Sequence, residues 1–515
     1  MSLVKKNGLF FPAFLTAVLV ISCGSPQEDP ADFKDPPSVL VPHAIDEEGN
    51  PVFADNRLYA EDYSNALHAV FMVAGSSRQS ELGHENYRPD LYDEMGIRAR
   101  KWLDLVDVTD DFFNSSGRVV SWFEETETEE GIKYHSSNSA DLSLYPHLVY
   151  SYHMHHRGSR FKEQGLYQEI NYRPLNYVVS PGRYLLNEHY ESGAFFNDDG
   201  SIDAASMSHG LGGIHGHLYA WVVWAKPDGA DNMGLVPENR LKSWLQHSRQ
   251  DLVEIALEIT QFLDSVWDES ASVYNFADDD NFATGLMPSS TAIGMAAGNA
   301  DGNVWTLEQL GALIRGHKGL YETLYMFGET KEAQTAAERL FDRSAAIFDA
   351  VSPLVKPWGL PAEIRFEEGG ATAASDVVDV YDTWQFINHL GGGFAWDRER
   401  EGTAGFIAEK RPDIHNTFGE MCDMLLLGAL EHQMPDGRLV SSLSYESGEV
   451  GDARTTVSAS GMFITAAGNT YRNGSAFERA SDWDTQSEET VAQSRLLYDA
   501  MMHHLELIEG AIVEP

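Results

Sequence analysis

Apolar residues recur at three- and four-residue spacing over much of the chain, a pattern typical of helices that bury one face. One such pattern runs through 241–266, and Pro237 is placed to start that helix. Thr306 and Gln309 form a capping-box pattern ahead of a second helix, and Thr330 can cap a third. These segments predict successive amphipathic helices joined by short turns.

Similar helical signals continue along the chain, in the segments 94–107, 145–156, 210–225, 374–390, 415–433, 452–467 and 486–509. The strict alternation typical of strands is scarce, and no heptad pattern is sustained as in a coiled coil. The sequence therefore predicts an all-α fold of stacked helix hairpins with few or no strands.

Two stretches within 240–350 carry a family resemblance. One is the turn Trp267-Asp268-Glu269 at the end of a helix, and the other is the hairpin from Leu313 to Phe341. Both resemble the hairpins of the (α/α) toroid proteins, which include N-acylglucosamine epimerases, six-hairpin glycosidases and several polysaccharide lyases. The resemblance implies a closed or partial toroid over 56–515, with ligands at one mouth where loops such as 354–378 gather. A solenoid or an irregular helical bundle remains the alternative.

The first residues have the order of a secretion signal. Lys5 and Lys6 precede an apolar run from Leu9 to Ile21, which is short for a membrane span and fits a signal peptide over 1–22. The run ends in Val-Ile-Ser-Cys23, which resembles the lipobox of bacterial lipoproteins. The resemblance implies that Cys23 is acylated and attaches the protein to a membrane. The same resemblance favours the outer membrane, with the protein facing the periplasm, because the residue after Cys23 is glycine rather than aspartate.

Composition separates a tether from a body and excludes some partners. Residues 23–55 are rich in proline and acids, so we expect an extended tether ahead of a single large helical domain over 56–515. The formal net charge of −43 repels phosphate backbones, so nucleic acid is not an expected partner. Two cysteines cannot form a disulfide framework. The chain also lacks GxSxG, HExxH, P-loop and GxGxxG motifs, which argues against the enzyme classes that use them.

Acidic and aromatic residues between 363 and 389 are the candidates for catalysis on a glycan. Glycosidic cleavage needs one protonated carboxyl and a second ionised one, and Glu363, Asp379 and Asp382 are the candidate catalytic residues. Tryptophan can stack on a sugar ring. The candidate ligand-binding residues are Trp384, Arg365, His389 and Trp267. The alternative is a solvated acidic loop in an acidic protein.

Histidines in a glycine-rich run suggest a second chemistry. His209, His215 and His217 lie in a segment that we expect to begin as coil, and imidazole is a common ligand of divalent transition metals. The alternative is that these histidines are hydrogen-bonded or lie on the surface.

Three functions therefore remain open. The first is an envelope-anchored carbohydrate hydrolase or lyase. The second is a non-catalytic lipoprotein that binds a small molecule or glycan and works with an outer-membrane protein. The third is a metal-binding protein that uses the three histidines.

Overall fold

The structure is a computed structural model. It describes residues 35, 37–77, 105, 112, 117–128, 131–136, 142–148, 173–224, 238–276, 303–394, 411–472 and 488–514. The predicted signal peptide, Cys23 and the first part of the predicted tether lie outside these residues. Within them, no helix is both long enough and apolar enough to cross a membrane.

Helices dominate the part of the chain that the structure describes. They are α1 (Ala60–Ser77), α2 (Leu144–Leu148), α3 (Arg173–Glu188), α4 (Ala204–Trp224), α5 (Glu238–Leu245), α6 (Arg249–Ser265), α7 (Leu307–Phe327), α8 (Lys331–Val351), α9 (Val380–Phe394), α10 (Pro412–Glu431), α11 (Val457–Arg472) and α12 (Glu488–Ala511). The expected caps are present: the hydroxyls of Thr306 and Thr330 accept hydrogen bonds from backbone amides in the first turns of α7 and α8.

Six of the described helices form a closed ring. Each packs on the next in the order α1, α2, α4, α7, α9, α11 and back to α1. Glycines allow the closest approach between α4 and α7: a Cβ atom on Gly316 would lie 2.5 Å from the Cβ of Leu211, and one on Gly212 would lie 3.0 Å from the carbonyl oxygen of Ala312. Neighbouring ring helices and outer helices both pack on α7, so it is buried almost along its whole length.

A second layer of helices covers the outside of the ring. The helices α3, α6, α8, α10 and α12 each come after a ring helix in the sequence, and they pack on α4, α7, α7, α9 and α11 respectively. This alternation of inner and outer helices around a closed ring is an (α/α) toroid, so the predicted all-α fold class is confirmed.

The strands of the described residues are short and lie in six small sheets. They are β1 (Ala44–Ile45), β2 (Pro51–Val52), β3 (Arg57–Tyr59), β4 (Trp122–Thr128), β5 (Gly131–Ser136), β6 (Tyr190–Glu191), β7 (Ala194–Phe195), β8 (Trp267–Asp268), β9 (Val273–Tyr274), β10 (Val304–Thr306), β11 (Glu363–Glu367), β12 (Gly370–Ala373), β13 (Val377–Asp379), β14 (Ser442–Ser444), β15 (Val450–Asp452) and β16 (Thr455–Thr456). The strands β3, β10, β13 and β16 each lead directly into a ring helix. The sheets therefore collect at the end of the toroid where the ring helices begin, which we call the mouth.

Several helix boundaries differ from the predicted ones, and the structure shows the cause at two of them. The helix predicted over 374–390 begins only at Val380, because the residues before it form β13 and pair with β14. The helix predicted over 241–266 is divided at Gln246, which has a φ of 61°, and Ser248 caps the second part. Tertiary pairing and a left-handed residue override the helical periodicity at these positions.

Part of the predicted tether over 23–55 packs on the body. Val41 and Ile45 are buried, and β1 pairs with β16 immediately before α11 begins. The backbone of Leu40 exchanges two hydrogen bonds with Val513, just beyond the end of α12. The proline and acid content of this segment predicts an extended chain, but its apolar residues Val41 and Ile45 are buried against the body.

A half-buried ion pair holds this segment against α1. The Nδ1 atom of His43 lies 3.0 Å from the Oδ2 atom of Asp62, and the Ser458 hydroxyl donates to the other oxygen of Asp62 at 2.8 Å. The hydrogen bond to Asp62 raises the pKa of His43 above 6.5; Glu61 acts in the same direction, whereas burial and Arg454 oppose it. Burial raises the pKa of Asp62, and its bonds from His43 and Ser458 act against this.

This ion pair predicts a pH-dependent attachment. Because the pKa of His43 is raised in the folded state, its contribution to stability is complete below pH 6.5 and is lost as the pH rises through the raised pKa. We expect the amides of 39–45 to exchange faster above that pKa, after correction for the intrinsic exchange rate, in hydrogen exchange measured by mass spectrometry. The His43→Gln variant should exchange fast at every pH. Equal pH dependence in wild type and variant would contradict this role for His43.

Candidate active site

Carboxylates gather at the mouth because several ring helices begin there with an acid in the first turn. Glu61 lies in the first turn of α1, Glu308 in that of α7 and Asp382 in that of α9. Asp379 directly precedes α9, and its Oδ1 atom accepts a hydrogen bond from the backbone amide of Asp382 at 3.0 Å. Asp379 is thus a helix cap as well as a member of the acidic group.

Electrostatics connect these acids to one another. The pKa of Asp382 is raised well above 3.8, mainly by burial, and the negative charges of Asp379, Glu308 and Glu61 act in the same direction. Burial also raises the pKa of Asp379, whereas hydrogen bonds from the amides of Tyr381 and Asp382 lower it. The surroundings of Asp382 therefore favour its protonated form.

Tyr381 joins two helices that are not neighbours in the ring. Its hydroxyl is hydrogen-bonded to Glu61, and the Asn65 side chain donates to it at 3.5 Å. Since α11 stands between α9 and α1 in the ring, these contacts cross the interior of the mouth. Burial, together with the charge of Glu61, raises the pKa of Tyr381 well above 10, so its hydroxyl keeps its proton.

The opposite side of the mouth carries a histidine. The Nε2 atom of His209, near the start of α4, lies 3.5 Å from the Oε1 atom of Glu308 on α7. The Glu308 side chain is 27% exposed, so solvent reaches this pair. We call the residues Glu61, His209, Glu308, Asp379, Tyr381 and Asp382 the mouth cluster.

The mouth cluster has the groups that acid–base catalysis requires. Asp382 is a carboxyl whose surroundings favour protonation, and further carboxylates lie close enough to influence its charge. A protonated acid and an ionised base at one open site can transfer protons to and from a bound substrate.

Two of the predicted residues, Glu363 and Arg365, lie outside this group. Both are on β11, where Glu363 pairs with Thr306 and Arg365 pairs with Val304. Glu363 is exposed, and its charge is not among those that raise the pKa of Asp382. Of the three predicted catalytic residues, the structure therefore brings together only Asp379 and Asp382.

The aromatic residues predicted to bind a ligand are engaged within the protein. Trp384 is 2% exposed and packs edge-on against Phe463, so neither face of its ring is open to a sugar. Trp267 packs against Tyr274, and the Arg343 guanidinium lies 4.9 Å from its ring centre. These contacts give both tryptophans structural roles.

His389 and two of the three candidate metal ligands are buried deeper in the toroid. His389 is fully buried on α9, with its Cδ2 atom against Gly311 of α7. His215 accepts a hydrogen bond from the Nε atom of Arg315 at 3.3 Å. The Nδ1 atom of His217 lies 3.1 Å from the Val179 carbonyl oxygen, and burial lowers the pKa of His217 to about 3.

The three histidines on α4 therefore have separate surroundings. The glycine-rich segment that was expected to begin as coil is helical from Ala204, so His215 and His217 point about 240° and about 80° around the helix from His209. Among the residues that the structure describes, no group of three or more His, Cys, Asp or Glu side chains is placed to hold a metal ion. The geometry gives no support to a divalent-metal site shared by these histidines.

Sequence reasoning missed Glu61, Glu308 and Tyr381. Each lies in the first turn of a helix that directly follows a short strand, namely β3, β10 or β13. A repeated order of strand, helix start and first-turn polar residue was the available signal. This order is not recognisable in the sequence, because strands of three residues are too short to show the alternation of apolar and polar residues.

Comparison with known proteins gives structural similarity alone. No family model and no curated protein matches the chain. It is similar to the structure of cellobiose 2-epimerase from Bacillus thermoamylovorans, with 13% identity and a TM-score of 0.43, over 84% of this chain and 93% of that one. It is also similar to a sugar epimerase from a ruminal bacterium, with 10% identity and a TM-score of 0.41, over 84% and 93% of the two chains. For unsaturated glucuronyl hydrolase from a Bacillus species, the identity is 12% and the TM-score 0.39, over 86% and 84%. At these values the similarity carries no argument about activity.

Proposed function

We propose that this protein is a carbohydrate-active hydrolase or lyase whose acid and base belong to the mouth cluster. The observation that carries the proposal is the half-buried carboxyl of Asp382, whose pKa is raised well above 3.8 beside three further acids. A carboxyl that keeps its proton next to ionised carboxylates is the arrangement that glycosidic cleavage uses.

In a hydrolysis, Asp382 donates its proton to the oxygen that bridges two sugars, as the bond from that oxygen to the anomeric carbon breaks. Glu308 takes a proton from a water molecule whose oxygen forms the new bond to that carbon. His209, 3.5 Å from Glu308, orients this base, and the cap formed by Asp379 fixes the first turn that carries Asp382. In a lyase reaction the base would remove a carbon-bound proton instead, leaving a double bond in the product.

We also propose that the protein is a lipoprotein, attached through acylated Cys23 to the outer membrane and facing the periplasm. The order of charged residues, apolar run and cysteine in the first 23 residues supports this. Mass spectrometry of the mature N-terminus from bacterial membranes should find an acylated Cys23, and the Cys23→Ser variant should remain in the soluble fraction. A mature chain that begins elsewhere without an acyl group would contradict the proposal.

The catalytic proposal is tested with a panel of neutral and acidic oligosaccharides. New reducing ends without ultraviolet absorbance indicate hydrolysis, and new reducing ends with the absorbance of an unsaturated sugar indicate a lyase. An oligosaccharide that binds in calorimetry but remains intact over long incubation would contradict catalysis. That result would favour the alternative of a ligand-binding lipoprotein that works with an outer-membrane protein.

A further inference from the structure

The N-terminal segment joins the toroid at its mouth. Leu40 pairs with Val513, directly after the end of the outer helix α12. Outer helices run opposite to the ring helices, so the end of α12 lies at the same end of the toroid as the start of α11. The segment then continues into β1, which pairs with β16 immediately before α11.

Side chains fix this position independently of the strand pairing. His43 contacts Asp62 in the first turn of α1, next to Glu61 of the mouth cluster. The Tyr63 hydroxyl donates to the Val39 carbonyl oxygen at 2.7 Å, and the guanidinium of Arg438, 3% exposed, donates to the Glu47 carbonyl oxygen at 2.6 Å. The chain that follows Cys23 is therefore attached at the mouth, beside the candidate active site.

We propose that the mouth of the toroid is held next to the membrane, with the opposite end directed away from it. The inference rests on the proposed acylation of Cys23. The 15 residues from Cys23 to Pro37 span at most about 50 Å when fully extended. Because this connection ends at the mouth, the mouth is on average the end of the body closer to the bilayer.

The opposite end of the toroid is farther from the anchor by the height of the ring. The connection between α7 and α8, at Gly328–Thr330, lies at that end, and the 21 residues of α7 make it about 32 Å from the mouth. The full sequence has a formal net charge of −43, and a chain this acidic is repelled by anionic lipids, so the connection to Cys23 rather than adhesion sets the distance.

This orientation determines where a substrate comes from. Glu308 and Asp382 lie at the end of the toroid that faces the bilayer, and the Glu308 side chain is 27% exposed. A glycan fragment delivered through a membrane protein therefore reaches the mouth cluster first. The mouth of the toroid therefore faces the membrane. Glycans on the other side of the protein must pass around the body to reach the mouth cluster.

Energy transfer in vesicles tests the orientation. A cysteine at Val450, which is 52% exposed on β15 at the mouth, or at Glu329, which is exposed at the opposite end, is labelled with a donor dye. Cys422 is fully buried and burial raises the pKa of its thiol well above 9, so it does not take the label. The full-length acylated chain is inserted into vesicles of phosphatidylethanolamine and phosphatidylglycerol that contain an acceptor lipid.

We expect transfer from position 450 to be at least about twofold greater than from position 329, because the connection to Cys23 is attached at the mouth. Equal transfer from the two positions, or greater transfer from 329, would overturn the inference. A Cys23→Ser chain mixed with the same vesicles should give no transfer, which shows that the signal requires the anchor. If mass spectrometry finds no acyl group, the orientation fails with the anchor, whereas the catalytic proposal is still decided by the oligosaccharide assay.

Discussion

Replacement of Asp382 by Asn is expected to reduce kcat by about 10²- to 10⁴-fold, the contribution typical of a positioned acid, with little change in KM. Asn has nearly the same shape as Asp but cannot donate a carboxyl proton to a leaving oxygen. The measurement is steady-state kinetics on the oligosaccharide that the wild-type protein cleaves. Glu363→Gln is the matched control, because Glu363 is exposed on β11 and its charge does not act on Asp382. Its kcat should remain close to that of the wild-type protein.

The pH dependence of the wild-type rate follows from the same group. Because the pKa of Asp382 is raised, the group is protonated below that pKa, and the rate should fall as the pH rises through it. In Asp382→Asn this fall should disappear from the residual activity. A Glu363→Gln variant that loses activity, beside an active Asp382→Asn variant, would move the catalytic site from the mouth cluster to the β11 strand.

The substitution also has an effect that needs no substrate. A carboxyl whose pKa is raised by folding stabilises the protein below its unfolded pKa of about 3.8, and this contribution is lost as the pH rises through the raised pKa. At neutral pH the unfolded Asp382 is ionised, so folding must either bury its charge or take up a proton, and both cost stability. The neutral Asn removes that cost. We expect the Tm of Asp382→Asn to exceed that of wild type at pH 7 and the difference to vanish at low pH. A lower Tm at pH 7 would show that the carboxylate stabilises the mouth.

The sequence predicted the toroid better than it predicted the site. Helical periodicity and caps such as those at Thr306 and Thr330 are local properties, and they marked most of the helices. Asp379 and Asp382 were found because they are three residues apart. Glu61 and Glu308 join them only through closure of the ring, which brings together helix starts that are far apart in the sequence. No local sequence pattern predicts that these four acids lie close together.

The glycines of α4 led to a wrong prediction of local structure, because the segment that contains them is helical. Gly210, Gly212 and Gly213 lower the helix propensity of the segment, so the sequence predicts that it begins as coil. In the folded protein each of them admits a neighbour: a Cβ atom on Gly210 would lie 2.2 Å from the Phe195 ring, and one on Gly213 would lie 2.4 Å from Leu185. Close packing in the ring outweighs propensity, and the residues that suggested flexibility permit tight contact.

Replacement of Gly316 by Ala is the prediction with the largest expected effect on stability. The added Cβ would lie 2.5 Å from the Cβ of Leu211 and 2.6 Å from its carbonyl carbon, so α4 and α7 would have to move apart. We expect the free energy of unfolding to fall by about 1–3 kcal/mol, as is typical for overpacked interiors. This loss comes in spite of the roughly 1 kcal/mol by which Ala favours a helix over Gly. Urea denaturation followed by circular dichroism measures it.

Gly510 near the end of α12 provides a matched control. No atom outside its immediate neighbours lies within 4 Å of the position of a Cβ there, so Gly510→Ala gains helix propensity without a clash. It should raise the free energy of unfolding by about 0.5–1 kcal/mol. Opposite signs for the two substitutions would separate the packing effect from the intrinsic preference of the helix.

A second substitution identifies what the new methyl group meets. In Leu211→Ala the side chain is shortened, but the Cβ, carbonyl carbon and carbonyl oxygen of residue 211 remain at 2.5, 2.6 and 2.9 Å from the added atom. The double variant with Gly316→Ala should therefore be no more stable than the sum of the two single changes predicts. Rescue by Leu211→Ala would mean that the end of the leucine side chain causes the clash, and that the backbones of α4 and α7 are not in direct contact at this point of the ring.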